Sequence, residues 1–276
     1  MSAYAAYRLA AWSGRHLPTN AAFRVAERLA DLWRRCARVR AAAVRQNLSL
    51  IMATPNAPAA AEVFRNFGRY LVELFTIHRI LEPELRVEGL EHLLDAQRDG
   101  RGTIILTGHL GNWELGAILL RRLGFPVSVV ALPHDDARVD RLFNRQRERC
   151  GLTVIPVGEG AAQRSLQSLR EGRLLRLLGD QPFGDQHTLR LRMFGTELDL
   201  PRGPAVLSLR SRAPLVPAFL IREGRWKFRL WIEPAIRPEP SGEDESAVRR
   251  LIQRYAAVLE RYVKRFPEQW LIFQPA

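Results

Sequence analysis

The sequence predicts an α/β fold: a mostly parallel central sheet flanked by helices on both faces, with an N-terminal helical extension. Three observations lead there. From about residue 85 short apolar runs alternate with segments of helical periodicity, the pattern of parallel strands that need covering on both faces. Upstream of that point the apolar spacing is helical throughout. At 276 residues and 47% hydrophobic content, the chain holds enough apolar surface for a sizeable core.

The first segment, MSAYAAYRLAAWSGRHLP, reads as a short amphipathic helix with Tyr4, Tyr7 and Trp12 suited to a headgroup interface. A helix docked on its own domain fits the same pattern. The segment is interrupted by Arg8 and lacks the long apolar stretch of a secretory signal. No stretch approaches the roughly 18 to 20 apolar residues of a transmembrane helix. Residues 20–50 read as one helix, with Leu32, Cys36, Val39 and Ala43 on one face and Arg34, Arg38 and Arg45 roughly opposite. A turn at Thr54-Pro55-Asn56-Ala57-Pro58 precedes a second helix, in which Phe64, Phe67, Leu71, Leu74 and Phe75 form a core stripe. Residues 1–84 thus form an N-terminal helical region suited to membrane association, and residues 85–276 an α/β domain, integrated into one structural unit.

Strands are expected at 103–106, 127–130, 153–157 and 174–178, separated by helices at 112–123, 136–149 and 161–170. Further strands are expected at 188–194, 215–221 and 226–232, with a helix at 204–212 that Gly203 and Pro204 help to start. A last helix, about 244–265, carries Val248, Leu251, Tyr255, Val258, Leu259 and Tyr262 at helical spacing. Pro238-Glu239-Pro240-Ser241-Gly242 reads as a surface loop, and no internal repeat is visible.

The formal net charge is +13, almost all of it arginine, since Lys227 and Lys264 are the only lysines. Codon bias can produce such a composition, yet guanidinium forks match phosphate and carboxylate geometry. An anionic membrane surface, a phosphorylated lipid, an acidic carrier and nucleic acid are the partners this charge suggests. No zinc-finger spacing, RNP-like stretch or helix-turn-helix unit favours nucleic acid. Cys36 and Cys150 lie far apart without C-x-x-C spacing, which argues against a zinc site or a disulfide scaffold and for reduced thiols in a cytosol-facing protein.

TGHLGNWELG, residues 107–116, carries the chemistry. His109 falls in the loop at the carboxyl end of a strand, where open α/β sheets place their sites. Asn112 can cap the following helix, and Glu114 falls in its first turn, near the positive end of the dipole. The loop lets His109 and Glu114 meet: a carboxylate at one ring nitrogen fixes the tautomer and leaves the other to take a proton. Gly108 and Gly111 would let a substrate approach the backbone closely. Taken alone, H-x4-E is equally the pattern of a satisfied loop histidine beside a capping glutamate. His134 in ALPHDDAR stands near a strand end, but His134-Asp135-Asp136 reads as a helix cap. His16, His78, His92 and His187 show no ligand spacing, and no metal or cofactor is implied.

GHLGNWELG resembles the H-x4-(D/E) block of the lipid A biosynthesis acyltransferase family, within a glycerolipid acyltransferase-like fold. The similarity continues in order through Arg45-Gln46-Asn47-Leu48, Glu73, Asn144-Arg145 with Arg147 and Gly151, GDQPFG at 179–184, FG at 194–195, LPRGPAVLSL at 200–209, APLVPAF at 213–219 and FPEQW at 266–270. Together these blocks span most of residues 45–270. The resemblance implies acyl transfer from an acyl-ACP or acyl-CoA thioester to a hydroxyl of a glycolipid or lipid A precursor-like acceptor. It places the protein at the cytoplasmic face of a bacterial inner membrane, peripheral or weakly anchored. By position His109 would be the general base and Glu114 its orienting partner, with Asp180, Arg145, Arg147, Gly108, Gly111 and Asn112 as substrate-binding residues. Asp180 also stands at a strand end, with Arg145 or Arg147 as its expected partner. An arginine near the dyad would hold the thioester oxyanion or a substrate phosphate. No acyl-enzyme is required, in keeping with the absence of a G-x-S-x-G elbow and of a cysteine beside His109.

Two departures bear on the acceptor: the N-terminal segment is broken rather than a long hydrophobic helix, and LIFQPA follows FPEQW instead of an aromatic, arginine-rich tail. A phosphatidylinositol mannoside or an amino-acid lipid therefore stands beside a lipid A precursor as acceptor. Thioester hydrolysis and a non-catalytic basic lipid-binding protein are the remaining alternatives.

Overall fold

Ten helices and nine strands make up the described part of a computed structural model, which covers residues 3–52, 57–77, 84–182, 188–239 and 244–276. His78, His187, Phe183 and Gly184 lie outside the described residues, as do most of the turn at 54–58 and part of the loop at 238–242.

Four helices come first: α1 (Ala3–His16), α2 (Thr19–Cys36), α3 (Arg38–Ser49) and α4 (Ala57–Thr76). The single helix expected over 20–50 is two, because the chain leaves helical geometry at Ala37 (φ −90°, ψ 64°) although its N–H still reaches the Trp33 carbonyl. No breaker residue marks the spot, so packing decides it: α2 buries Ala22, Phe23, Ala26 and Ala30, while α3 buries Ala41, Val44, Asn47 and Leu48. One straight helix could not seat both sets. The face expected from Leu32, Cys36 and Val39 is solvent-facing, and of that group only Ala43 is buried. On α4 the expected stripe is core, with Phe64, Leu71, Leu74 and Phe75 buried. Among the described residues no helix is long and apolar enough to cross a membrane.

The α/β part runs β1 (Glu84–Glu88), α5 (Leu90–Gln97), β2 (Thr103–Thr107), α6 (Trp113–Arg122), β3 (Val127–Ala131), α7 (Ala137–Arg149), β4 (Thr153–Pro156), α8 (Ala161–Arg170) and β5 (Leu174–Leu178). It continues with β6 (Thr188–Met193), β7 (Thr196–Pro201), α9 (Gly203–Ser211), β8 (Leu215–Gly224), β9 (Lys227–Ile232) and α10 (Glu245–Arg265). The central sheet has the order β1-β9-β8-β2-β5-β3-β4. All its pairings are parallel except β8 with β9, which are joined by a hairpin. Strands β6 and β7 pair antiparallel as a separate hairpin that turns at Phe194-Gly195. Asp136 caps α7, accepting from Arg138 N at 2.9 Å, as the HDD triplet suggested, and Pro204 stands in the first turn of α9. Strands β1 and β7 and helix α5 are additions to the expected elements.

Helices cover both sheet faces. One apolar core joins Val44, Phe64 and Leu74 of the N-terminal helices to Ile118, Val129 and Val216 of the α/β part. A second lies under α9 and α10, around Leu106, Leu177, Phe219 and Tyr255. The fully buried strand β2 runs between them and delivers residues 108–112 to the sheet's carboxyl edge.

Candidate active site

Strand register dictates the central pair. In the parallel pairing of β2 with β5, Thr107 stands opposite Leu178. Two residues further along each strand, at the same offset of 71, come His109 and Asp180. The Asp180 carboxylate is buried, and its Oδ1 lies 2.9 Å from His109 Nδ1. Its Oδ2 accepts two further hydrogen bonds, from the His109 backbone N–H (2.6 Å) and from Trp270 Nε1–H (3.1 Å). An acceptor-only carboxylate at Nδ1 puts the proton on that nitrogen and leaves Nε2 as the ring's lone-pair site. The histidine side chain is 22% exposed, so the ring is held from one side and open on the other.

Glu114 does not reach His109. It is the second residue of α6 and points between helix and sheet, where Arg147 of α7 grips it with Nε to Oε2 (2.9 Å) and Nη2 to Oε1 (2.8 Å). Arg176 of β5 adds Nη2 to Oε1 at 3.0 Å. All three side chains are buried. Burial alone would raise the glutamate's pKa, but the two guanidinium charges outweigh it and hold the carboxyl at about 2. Burial beside Arg147 also pushes the Arg176 guanidinium down from its ordinary value. Trp113 links the two clusters: its ring meets His109 edge-on at 4.9 Å and stacks on Tyr70 at 4.6 Å. Burial, reinforced by the Glu114 charge, raises the Tyr70 hydroxyl well above its ordinary pKa.

The expected substrate-binding residues are thereby reassigned. Arg147, named as a partner for Asp180, belongs to Glu114. Arg145 sits on the opposite, exposed face of α7 and contributes nothing to the pair. Gly108 leaves room for Asp180: a Cβ there would stand 2.9 Å from Asp180 Oδ2 and 3.1 Å from Leu259 Cδ1. Gly111, at φ +67°, admits the neighbouring strand, since a Cβ would strike the Leu220 carbonyl of β8. Asn112 is fully buried; its Oδ1 accepts from Leu115 N (3.0 Å) and caps α6, while Nδ2 donates to Glu73 Oε2 (2.8 Å). His134 is half-buried against Tyr7 and Phe143, and burial lowers its pKa.

Residues beyond the expected set complete the site. The segment after α10 lies along the histidine loop like an extra strand, with Gly111 N donating to Gln269 O (2.9 Å) and Leu271 N to His109 O (2.7 Å). This pairing aims Trp270 at Asp180, and Phe194 of the β6–β7 turn packs on the Trp270 ring at 5.4 Å. The tail is held in turn by Asn47 of α3, whose Nδ2 donates to Gln274 O at 2.9 Å. Arg222 of β8 grips Glu73 through Nε (2.5 Å) and Nη2 (2.9 Å), and its backbone exchanges hydrogen bonds with the Gln269 amide. Tyr255 of α10 donates to Thr107 O (2.7 Å) directly beneath the pair. Sequence blocks far apart in the chain, around Asn47, Glu73, Asp180, Phe194 and Trp270, therefore meet at the loop 108–112.

Comparison with known proteins adds the family. The chain matches the family described as bacterial lipid A biosynthesis acyltransferase over residues 2–276. It is 27% identical over 244 residues to a phosphatidylinositol mannoside acyltransferase of Mycolicibacterium smegmatis, covering 84% of this chain and 78% of that protein. Similarity to a lipid A biosynthesis palmitoleoyltransferase of Escherichia coli is 27% identity over 217 residues, 76% of this chain and 68% of the relative. For a lipid A biosynthesis myristoyltransferase of the same organism it is 24% over 192 residues, 69% and 58% respectively.

Proposed function

This chain belongs to the bacterial lipid A biosynthesis acyltransferase family and is a lipid acyltransferase; from that premise we propose that it moves a fatty acyl chain from an acyl-ACP or acyl-CoA thioester to a lipid hydroxyl, with His109 as general base. The acceptor is a glycolipid of the class the relatives' names give, a lipid A precursor or a phosphatidylinositol mannoside. His109 Nε2 takes the acceptor's hydroxyl proton as its oxygen attacks the thioester carbonyl carbon. The C–O bond forms, the C–S bond breaks, and the imidazolium returns the proton to the departing thiolate. Asp180 holds the tautomer that leaves Nε2 free and stabilises the imidazolium formed on the way. Glu114 acts at one remove: its ion pairs with Arg147 and Arg176 fix the start of α6, and through Trp113 the setting of the histidine ring.

The observation that carries this reading is the His109–Asp180 pair at the carboxyl edge of neighbouring parallel strands, buried on the carboxylate side and open at the imidazole. The site works at a membrane because its acceptor is a membrane lipid, and we place it on the cytoplasmic face, where acyl thioesters are available. Mass spectrometry of total lipids from cells carrying wild-type protein or His109→Ala at matched expression tests it. A lipid lighter by one acyl group in the variant identifies acceptor and chain together, whereas identical lipid profiles would count against the reading. Free fatty acid released equally fast with and without acceptor would instead favour hydrolysis.

A further inference from the structure

Helix α7 faces two ways. Inward, Arg147 is committed to Glu114 and Gln146 donates to Leu74 O at 2.8 Å. Outward, Arg138, Arg141, Arg145 and Arg149 follow at spacings of three and four and are all exposed. At 1.5 Å per residue they form one row roughly 16 Å long. Helix α1 packs beside this row, with the Tyr7 ring edge-on to Phe143 at 5.4 Å. It contributes Tyr4, Arg8, Trp12 and His16 at four-residue steps to the other bank of a furrow of about 390 Å³.

The charge in this furrow is largely uncompensated. Arg138 is paired with Asp136 at 2.8 Å and lies over the Tyr4 ring at 4.4 Å. Among the described residues Arg141, Arg145 and Arg149 have no carboxylate within ion-pair distance. The furrow also carries an exposed aromatic side chain. Trp12 on its bank is 52% exposed. A row of unpaired guanidinium groups beside a protruding tryptophan matches a bilayer surface, where phosphates lie next to the interfacial layer that tryptophan favours.

We propose that the arginine furrow between α1 and α7 seats the headgroup phosphates of an anionic bilayer, with Trp12 reaching into its surface, and that it docks the protein on the membrane containing its acceptor. The inference deepens the lipid-acceptor reading and rests on it for the reason a membrane is needed. The occupant is lipid rather than an acidic protein helix because unpaired charge and an exposed tryptophan, the residue of membrane interfaces, line the same furrow.

The test is sedimentation of the full chain with vesicles of phosphatidylcholine, with and without phosphatidylglycerol. Wild type binds the phosphatidylglycerol vesicles, and salt weakens the binding. The triple variant Arg141→Gln, Arg145→Gln, Arg149→Gln binds them on the order of a hundredfold more weakly, at roughly fivefold per arginine near an anionic surface. The corresponding triple lysine variant keeps the charge and stays close to wild type, which separates lost attraction from lost folding. Unchanged binding by the glutamine variant would overturn the proposal. So would a glutamine variant that binds vesicles normally but accepts acyl chains from CoA and no longer from the carrier protein, which would make the furrow a carrier-docking surface. Because sedimentation reads no turnover, His109→Ala binds vesicles like wild type, and failure of the acyl-transfer reading stays distinguishable from failure of this one.

Discussion

Asp180 Oδ1 lies 2.9 Å from His109 Nδ1 because β2 and β5 are neighbours in parallel register. Two strand ends, rather than one helical turn, build the pair. The carboxylate is anchored by three donors, one from a backbone N–H, one from an indole and one from the imidazole itself. This arrangement fixes the carboxylate's orientation before any substrate arrives.

Trp270 is therefore expected to position Asp180 as well as fill space. Trp270→Phe keeps an aromatic ring against Phe194 and removes the Nε1–H donor. Steady-state kinetics should show kcat reduced on the order of tenfold or more, as for loss of an orienting hydrogen bond, with KM little changed. A variant with lowered thermal stability and wild-type kcat would reduce Trp270 to packing.

Gly111 and Gly100 provide a matched pair, with φ of +67° and +65°. Alanine at Gly100 meets nothing within 4 Å and pays only the left-handed backbone strain, about 1 kcal/mol. Alanine at Gly111 adds the collision with the Leu220 carbonyl, so Gly111→Ala should be the more destabilised in thermal melts and should lose activity as the histidine loop shifts. Equal melting temperatures for the two variants would show that the loop yields freely.

Glu114 makes stability sensitive to acid. Its folded pKa of about 2 lies below the ordinary 4.5, so its contribution is complete above that value and is lost as pH falls towards 2. The difference corresponds to an energy on the order of 3 kcal/mol. Glu114→Gln leaves Arg147 and Arg176 without their counter-charge and is expected to lower the melting temperature at neutral pH by about 10 °C. The gap between wild type and variant should narrow as pH falls from 5 to 2. A gap that stays constant across that range would mean that the carboxylate charge is not what the two arginines require.

Most of the sheet was legible in the sequence because its strands are short apolar runs separated by helical spacing, as at 103–107 and 174–178. Strand β1, ELRVE, was not, since an edge strand alternating charged and half-buried residues has no apolar run to mark it. His109 and Asp180 were each recognisable as strand-end residues, but local sequence does not encode that β5 lies beside β2. Glu114, five residues from the histidine, looked the nearer carboxylate, and the arginines that claim it come from another helix and another strand. Trp270 lies 90 residues beyond Asp180; FPEQW marked it as part of a family block, but nothing local to it points to Asp180. The two glycines were read as places where a substrate approaches the backbone. What approaches them is the protein's own carboxylate and strand, which only the packed structure reveals.

The most direct measurement is kcat of Asp180→Asn for acyl transfer to the lipid acceptor, taken with its melting temperature. An amide at this position can still accept from Trp270 but no longer supplies the charge that stabilises the imidazolium. The expected result is a loss of about 10³ to 10⁴ in kcat with the fold intact, the scale seen when a histidine loses its orienting carboxylate. An Asp180→Asn enzyme within tenfold of wild type, beside a Glu114→Gln enzyme that is fully folded yet inactive, would contradict the His109–Asp180 pair and return the catalytic role to Glu114.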